Sequence, residues 1–368
     1  MSIPQPPAPK PHARQVKAVR MPAEWEPHAA TWLAWPHQRD DWPGKFEPIP
    51  WVYVEVVRLL SRVEPVWILI NGRKAERAAR EKLERGGVDL DRITFFRVPT
   101  DRVWTRDSLP SFVECQQTQG PNLAAVDWKF NGWAKYDNHR RDNRVARQLA
   151  RRLEIPRWKP AVEVDGRRVR VVLEGGAIDG NGAGTILTTE ECLLSPVQAR
   201  NPGLDREAME RVLAEYLGTQ HVIWLGRGIA GDDTHGHVDD LARFVDPLTV
   251  VTALETNPTD INYEPLHENL ERLQAATDQD GRPLRVVPLP MPSPVMFEGQ
   301  RLPASYANFY VANGLVLFPT FNDPVDREAL ATLESLFPGR TVVGIHAVDL
   351  VWGLGTLHCM TREHPALV

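Results

Sequence analysis

Apolar positions along the chain fall into a recurring order: two short apolar stretches joined by a turn, a stretch with helical spacing, then another short apolar run. Five units follow it. One runs from Thr105 through SFVEC and LAAVDWKF to a helix near Asp142–Leu153 and a strand near Arg168–Leu173. A second starts at Glu174, turns at Asp179–Gly184, and continues as strand Thr185–Thr189, helix Asp205–Leu217 and strand His221–Leu225. The third begins at Gly236 with LARFV and LTVVTAL, followed by helix Pro265–Ala276 and strand Leu284–Pro288. The fourth opens at Ser305 with NFYVANGLVLF, where Asn313-Gly314 is a strong hairpin signal. Its helix is Asp326–Leu336 and its strand Thr341–Ile345.

The fifth unit is split between the two ends of the chain. The C-terminal stretch GTLHCMT (Gly355 to Thr361) reads as a strand with no helix after it, and the N-terminal part supplies what is missing. ATWLAWP (Ala30 to Pro36) serves as partner strand, Trp51–Val63 as helix and VWILI (Val66 to Ile70) as closing strand, while helix Arg73–Arg85 and strand Ile93–Val98 read as an insertion. Units this small cannot bury a core alone, so they must stack. The expected fold is α/β: a five-bladed pseudo-symmetric α/β propeller in which the N- and C-terminal segments complete one blade, forming a single domain over residues 19–368. An open doubly wound sheet gives a similar alternation and is the competing architecture.

Composition narrows the partners. With 42% hydrophobic and 25% charged residues the 368-residue chain is globular. Its 43 Lys+Arg against 48 Asp+Glu leave a net charge of −5, so no basic excess suits nucleic acid. No apolar run approaches the roughly 18 to 20 residues of a spanning helix. Three cysteines, Cys115, Cys192 and Cys359, are too few and scattered for a disulfide framework or a Cys-rich zinc site. Residues 1–18 are basic and proline-rich without an apolar h-region, which predicts a disordered tail, no secretory signal and a cytoplasmic protein.

Polar residues in otherwise apolar surroundings sit at the openings of the units: Asp107, Glu174, His237 with Asp239, and Cys359. In a closed ring these openings converge on the axis, where a cavity is a natural ligand site. Glu174 ends a strongly apolar strand, where a carboxylate is costly without a partner. Asp107 follows Arg106, and a surface ion pair or a helix N-cap is its alternative reading. His235, His237 and Asp239 share one face if the segment is extended, which admits a metal site, though no HExxH or CxxC accompanies them. Cys359 follows glycines that permit close backbone approach, whereas Cys115 and Cys192 sit in apolar segments and read as inert. A thiol beside a His and several carboxylates suits a nucleophile with an acid/base partner, and the anionic pocket suits a planar cation that donates paired hydrogen bonds.

The segments VWTRDSLPSF, VDWKFNGW, LEGGAIDGNGAGTILTTEECLL, GDDTHGHVDD and LPASYANFYVANGLVLFPTFND, with MPAEWEPHAATWLAWP and LHCMTREHP at the ends, resemble the agmatine deiminase and bacterial-type peptidylarginine deiminase family. The resemblance covers nearly the whole chain. It implies a five-bladed propeller and hydrolysis of a guanidine to a ureido group with release of ammonia, without metal or organic cofactor. It makes Cys359 the nucleophile, His237 the general acid/base, Glu174 its partner, and Asp107 with Asp239 the guanidinium clamp. Trp104 and Trp133 become walls for the substrate's alkyl chain. Leu109 and the segments GLGTLHC and LEGGAID depart from the commoner family pattern beside the site, which bears on the substrate's tail. Agmatine is the expected substrate and an arginine residue of a peptide the alternative. A non-catalytic guanidine-binding protein and a homodimer are further expectations to set against the structure.

Overall fold

Short strands alternate with helices through the chain, and hydrogen bonding collects most of them into five sheets of three or four strands. The computed structural model describes residues 19–116 and 122–367. The tail expected over residues 1–18 lies outside the described residues.

The second unit shows how each sheet is made. Strand Thr185–Thr189 pairs antiparallel with Asp179–Gly180 and parallel with His221–Leu225, and helix Arg206–Leu217 makes the crossover. The helix begins where Asp205 accepts the N–H of Ala208 at 2.8 Å, satisfying a first-turn donor. It ends at Gly218 in the left-handed conformation that glycine tolerates. The same order recurs in Ala242–Asp246, Thr249–Leu254, helix Tyr263–Ala275 and Arg285–Pro290. It recurs again in Tyr310–Ala312, Leu315–Thr320, helix Asp326–Leu336 and Thr341–His346.

The chain ends meet as their patterns predict. Strand Arg362–Pro365 lies antiparallel to His28–Ala34, which pairs parallel with Val66–Leu69 after helix Ile49–Leu60. The predicted insertion, helix Arg73–Arg85 and strand Ile93–Phe96, adds a fourth strand to this sheet. The remaining sheet pairs Ser111–Cys115 with Val19–Arg20 and Leu123–Val126, and Leu123–Val126 with Arg157–Trp158.

Two predicted strands are corrected. The strand closing this last sheet is Arg157–Trp158 rather than Arg168–Leu173. Arg167–Arg170 instead folds back on Ala161–Val164 around Asp165-Gly166, both with positive φ, a two-residue hairpin turn. The expected neighbour is met only by an isolated parallel bridge, Val172 with Lys129, whose N–H donates to the Val171 carbonyl at 2.9 Å, and by the Arg170 side chain on Asp127. The stretch Gly355–Thr361 is not a strand: residues 357–360 form a turn, with the Met360 N–H bonded to the Thr356 carbonyl, and the strand begins at Arg362.

The result is a mixed α/β fold whose sheets are each open at two edges. Its largest apolar cluster contains Trp32, Tyr53, Phe309 and Phe318 and reaches Trp104, Trp133 and Cys359. Among the described residues no helix is long and apolar enough to cross a membrane.

Candidate active site

The segments leading into the first strands of the sheets bring their polar residues together. Asp107 lies on the single-turn helix Thr105–Ser108, Glu174 caps the turn Gly175–Ala177, and His237 and Asp239 belong to the turn around Val238–Asp240. Cys359 projects from the 357–360 turn. All five are buried. His237 Nδ1 is 3.9 Å from both Asp107 Oδ2 and Asp239 Oδ1, and Nε2 is 3.8 Å from Glu174 Oε2. Cys359 Sγ is 3.8 Å from Asp239 Oδ2. Asp107 and Cys359 line a cavity of about 200 Å³ together with Trp104 and Trp133.

Two glycines make the approach possible. A Cβ on Gly176 would lie 2.5 Å from His237 Nδ1 and 3.0 Å from Asp107 Oδ1 and Asp239 Oδ2, so the missing side chain is the space these groups share. Its N–H donates to Asp107 Oδ1 at 2.9 Å, while the Trp133 indole donates to Oδ2 at 2.8 Å. A Cβ on Gly355 would strike the Trp104 ring at 2.9 Å and Cys359 Cβ at 3.1 Å. Backbone strain collects nearby: Trp133, Ala134 and Leu354 have positive φ, a conformation costly for residues with a Cβ.

Several site residues were not visible from sequence. Arg200 Nε donates to Glu174 Oε1 at 3.1 Å. His358 joins Asp239 Oδ2, at 2.6 Å from Nδ1, to Glu24 Oε2, at 2.8 Å from Nε2. The Asn308 amide donates to Cys359 Sγ at 3.1 Å. Cys192, on the short helix Glu190–Leu194 rather than on a strand, places its thiol against His237 and Glu174. A carboxylate ending an apolar run signals that Glu174 needs a cation, but no local pattern singles out Arg200.

Electrostatics divide the roles. Burial raises the Glu174 carboxyl, yet Arg200 and His237 hold it down to about 2. Burial opposes charge on His237, but Asp107, the Cys192 thiol and Glu174 hold its pKa well above the usual imidazole value. Burial, then Asp239, Asp240 and Asp107, push the Cys359 thiol well above its ordinary range. Burial also pushes Asp107 up, against the pull of His237. The surroundings therefore favour the charged form of His237 and the neutral form of Cys359 in an acidic pocket, suited to a ligand that brings positive charge.

Some expectations do not survive. Arg106 does not pair with Asp107: its guanidinium donates to Glu24 and Glu363, both at 2.7 Å. His235 is not on one face with His237 and Asp239, because His235 and Gly236 have positive φ and break the extended run. Its Nε2 lies 3.2 Å from Ser195 Oγ instead. Among the described residues two other trios have metal-like spacing, Glu174 with Cys192 and His237, and Asp239 with Asp240 and Cys359. The first faces the Arg200 guanidinium, which opposes a cation, and the second surrounds the sulfur that the cavity exposes.

A mixed α/β fold that gathers a buried thiol, an imidazole and several carboxylates beside one small cavity has the make-up of an enzyme active site. The chain belongs to the Porphyromonas-type peptidyl-arginine deiminase family, whose model matches residues 20–365. It is 35% identical over 373 residues to the agmatine deiminase of Ectopseudomonas mendocina, covering 94% of this chain and 95% of that one. To the agmatine deiminase of Pseudomonas aeruginosa it is 36% identical over 370 residues, covering 94% and 95%. The structure of agmatine deiminase of Enterococcus faecalis matches with a TM-score of 0.83 at 32% identity, covering 95% of this chain and 96% of that one. A Cys-to-Ser variant of C. jejuni agmatine deiminase with substrate bound matches with a TM-score of 0.81 at 28% identity, covering 94% and 96%.

Proposed function

We propose that the protein is an agmatine deiminase, a hydrolase that converts agmatine to N-carbamoylputrescine and ammonia. The observation that carries the reading is a pair of buried carboxylates set to receive a guanidinium. Asp107 and Asp239 flank the side-chain-free Gly176 beside Cys359, and Asp239 Oδ1 has no hydrogen-bond partner among the described residues. A planar guanidinium would donate paired bonds to both carboxylates, each charge-assisted bond contributing about 1.5–3 kcal/mol.

Bound substrate would offset the carboxylates that hold Cys359 as a thiol, and the thiol proton would pass to water at the cavity, since His237 already carries its own. The thiolate then attacks the guanidinium carbon and forms an S–C bond. His237 protonates a terminal nitrogen, the C–N bond breaks, and ammonia leaves a thiouronium on Cys359. Water attacks this carbon with His237 as base, the S–C bond breaks, and the ureido product departs. Glu174, fixed by Arg200, keeps His237 charged for the first step. Trp104 and Trp133 would flank the alkyl chain.

The tail end of the cavity favours agmatine over arginine or a peptide. It is lined by Asp40, Asp41 and Asp233, which suit the ammonium of agmatine and oppose a carboxylate. Arg102 on the same wall is held by Asp41 and Asn138. The arrangement of the five sheets is read as a five-bladed propeller, since a residue from just before the first strand of each sheet meets at one centre. A reduced thiol nucleophile suits the cytoplasm.

The test is ammonia release from agmatine, free arginine and a terminally blocked arginine peptide, with EDTA present. Turnover of agmatine in preference to the other two is expected. Preference for the peptide would replace the substrate, and release from none would overturn the enzymatic reading in favour of guanidine binding.

A further inference from the structure

The sequence pattern assigns a polar residue to the opening of four units and leaves the fourth unit, Ser305 onward, without one. The structure supplies it. Asn308 stands just before strand Tyr310–Ala312, as Cys359, Asp239, Glu174 and Asp107 stand before the first strands of their own sheets. It is 1% exposed, and its Nδ2 lies 3.1 Å from Cys359 Sγ and 3.0 Å from Asp240 Oδ1.

We propose that the side-chain amide of Asn308 is a catalytic hydrogen-bond donor that holds Cys359 Sγ in place and stabilises its thiolate. The inference rests on Cys359 being the nucleophile.

The orientation of the amide follows from its other end. Oδ1 accepts the backbone N–H of His358 at 3.0 Å and the Thr356 hydroxyl at 2.7 Å. A backbone N–H can only donate, so the atom facing it is the oxygen and the NH2 group must face the sulfur and Asp240. One amide hydrogen is available for each. The main-chain carbonyl of Asn308 takes the same His358 N–H at 3.1 Å, so the whole residue is clamped to the turn that carries the nucleophile. Ser305 secures the other side, its hydroxyl donating to the Asp240 carbonyl at 2.8 Å and accepting the Ala307 N–H at 3.1 Å.

The sulfur needs such a donor. The titratable groups that act on it are Asp239, Asp240 and Asp107, with Tyr53 coupled to it across the core. Each of these carboxylates opposes a thiolate. The Thr356 backbone N–H works the other way, and the Asn308 amide, 3.1 Å from the sulfur, adds a second donor that the protein itself supplies. A donor to a charged sulfur is stronger than one to a neutral thiol, so the interaction grows as the thiolate forms.

The experiment follows alkylation of Cys359 by iodoacetamide against pH in the full chain, read by peptide mass so that Cys115 and Cys192 are distinguished. Asn308→Ala is expected to move the thiol titration upward by about one unit, a roughly tenfold slower reaction at neutral pH. Asn308→Asp, which exchanges the donor for an acceptor, should move it further. Thr356→Ala removes the hydroxyl that holds the amide but keeps the backbone N–H that faces the sulfur, and should give a smaller shift of the same sign, carrying the test if either Asn308 variant fails to fold. In steady state the loss should fall on kcat, recover as pH rises, and leave KM within about twofold. Titrations that superimpose on the wild type in folded variants would overturn the proposal. Failure of the nucleophile itself is read separately, as agmatine turnover by Cys359→Ala.

Discussion

Two groups of buried carboxylates lie side by side and are treated in opposite ways. Behind the site, Glu24 receives Arg106 at 2.7 Å, Arg243 at 2.9 Å and His358 at 2.8 Å. Asp179 receives Arg243 at 2.8 Å, and Glu363 receives Arg106 at 2.7 Å. Burial opposes ionisation of Glu24 and Glu363, but Arg243 and Arg106 hold Glu24 well below the usual range and Arg106 with Arg362 hold Glu363 down to about 2. At the site, Asp107 on the cavity wall has only the neutral donors Trp133 and Gly176 at hydrogen-bond distance, and Asp240 behind it has Asn308. Burial pushes both upward, Asp240 further because Asp239 stands beside it. A carboxylate removed from water requires a cation. The fold sets cations within hydrogen-bond distance of the first group, whereas in the second the nearest cation to Asp107 is His237, with Nδ1 at 3.9 Å, which leaves the short contacts to a cationic ligand.

The contrast can be broken by exchanging one acid from each group for its amide. Asp107→Asn should lower kcat/KM for agmatine by about 10²-fold or more, as loss of a desolvated charge partner does, with little change in melting temperature. Glu24→Gln should do the reverse in kind: it leaves arginine charge buried and should cost about 3–5 kcal/mol of stability, measured by denaturant unfolding. Equal destabilisation by both would dissolve the distinction.

A methyl group tests the shared space next. Gly176→Ala places a Cβ against His237, Asp107 and Asp239 and should raise KM for agmatine by about tenfold, in line with overpacking costs of about 1–3 kcal/mol. An unchanged KM would remove the cation from that spot.

The smallest effect lies at the mouth, where burial raises the Asp41 carboxyl to about 7 against the pull of Arg102. Asp41 is neutral below that value and anionic above it, while the agmatine ammonium stays charged throughout. KM for agmatine should therefore fall a few-fold as pH rises through about 7, and Asp41→Asn should flatten that limb. Butylguanidine, which lacks the ammonium, should show no such limb in either protein.

What the sequence made legible was local. Helices Arg73–Arg85 and Asp326–Leu336 have the predicted bounds because apolar spacing and flanking turn residues define them without help from elsewhere. Glu174 stood out because a charge ending an apolar strand is anomalous on its own. Arg168–Leu173 has the apolar content of a strand, but its partner depends on tertiary pairing, and the Asp165-Gly166 turn before it gives Arg167–Arg170 to a local hairpin. His358 and Glu24 lie 334 residues apart in the chain and Asn308 and Cys359 51 apart, so their roles exist only once the sheets come together. Arg106 shows the converse, since adjacency to Asp107 suggested a pair that the fold gives to Glu24 and Glu363 instead.

The central claim, that the Cys359 thiolate attacks a guanidinium held by Asp107 and Asp239, is tested most directly by Cys359→Ser offered agmatine. Calorimetric binding and ammonia release should be measured on one preparation. The account predicts that the variant binds agmatine and releases no ammonia. Ammonia release near the wild-type rate would contradict it.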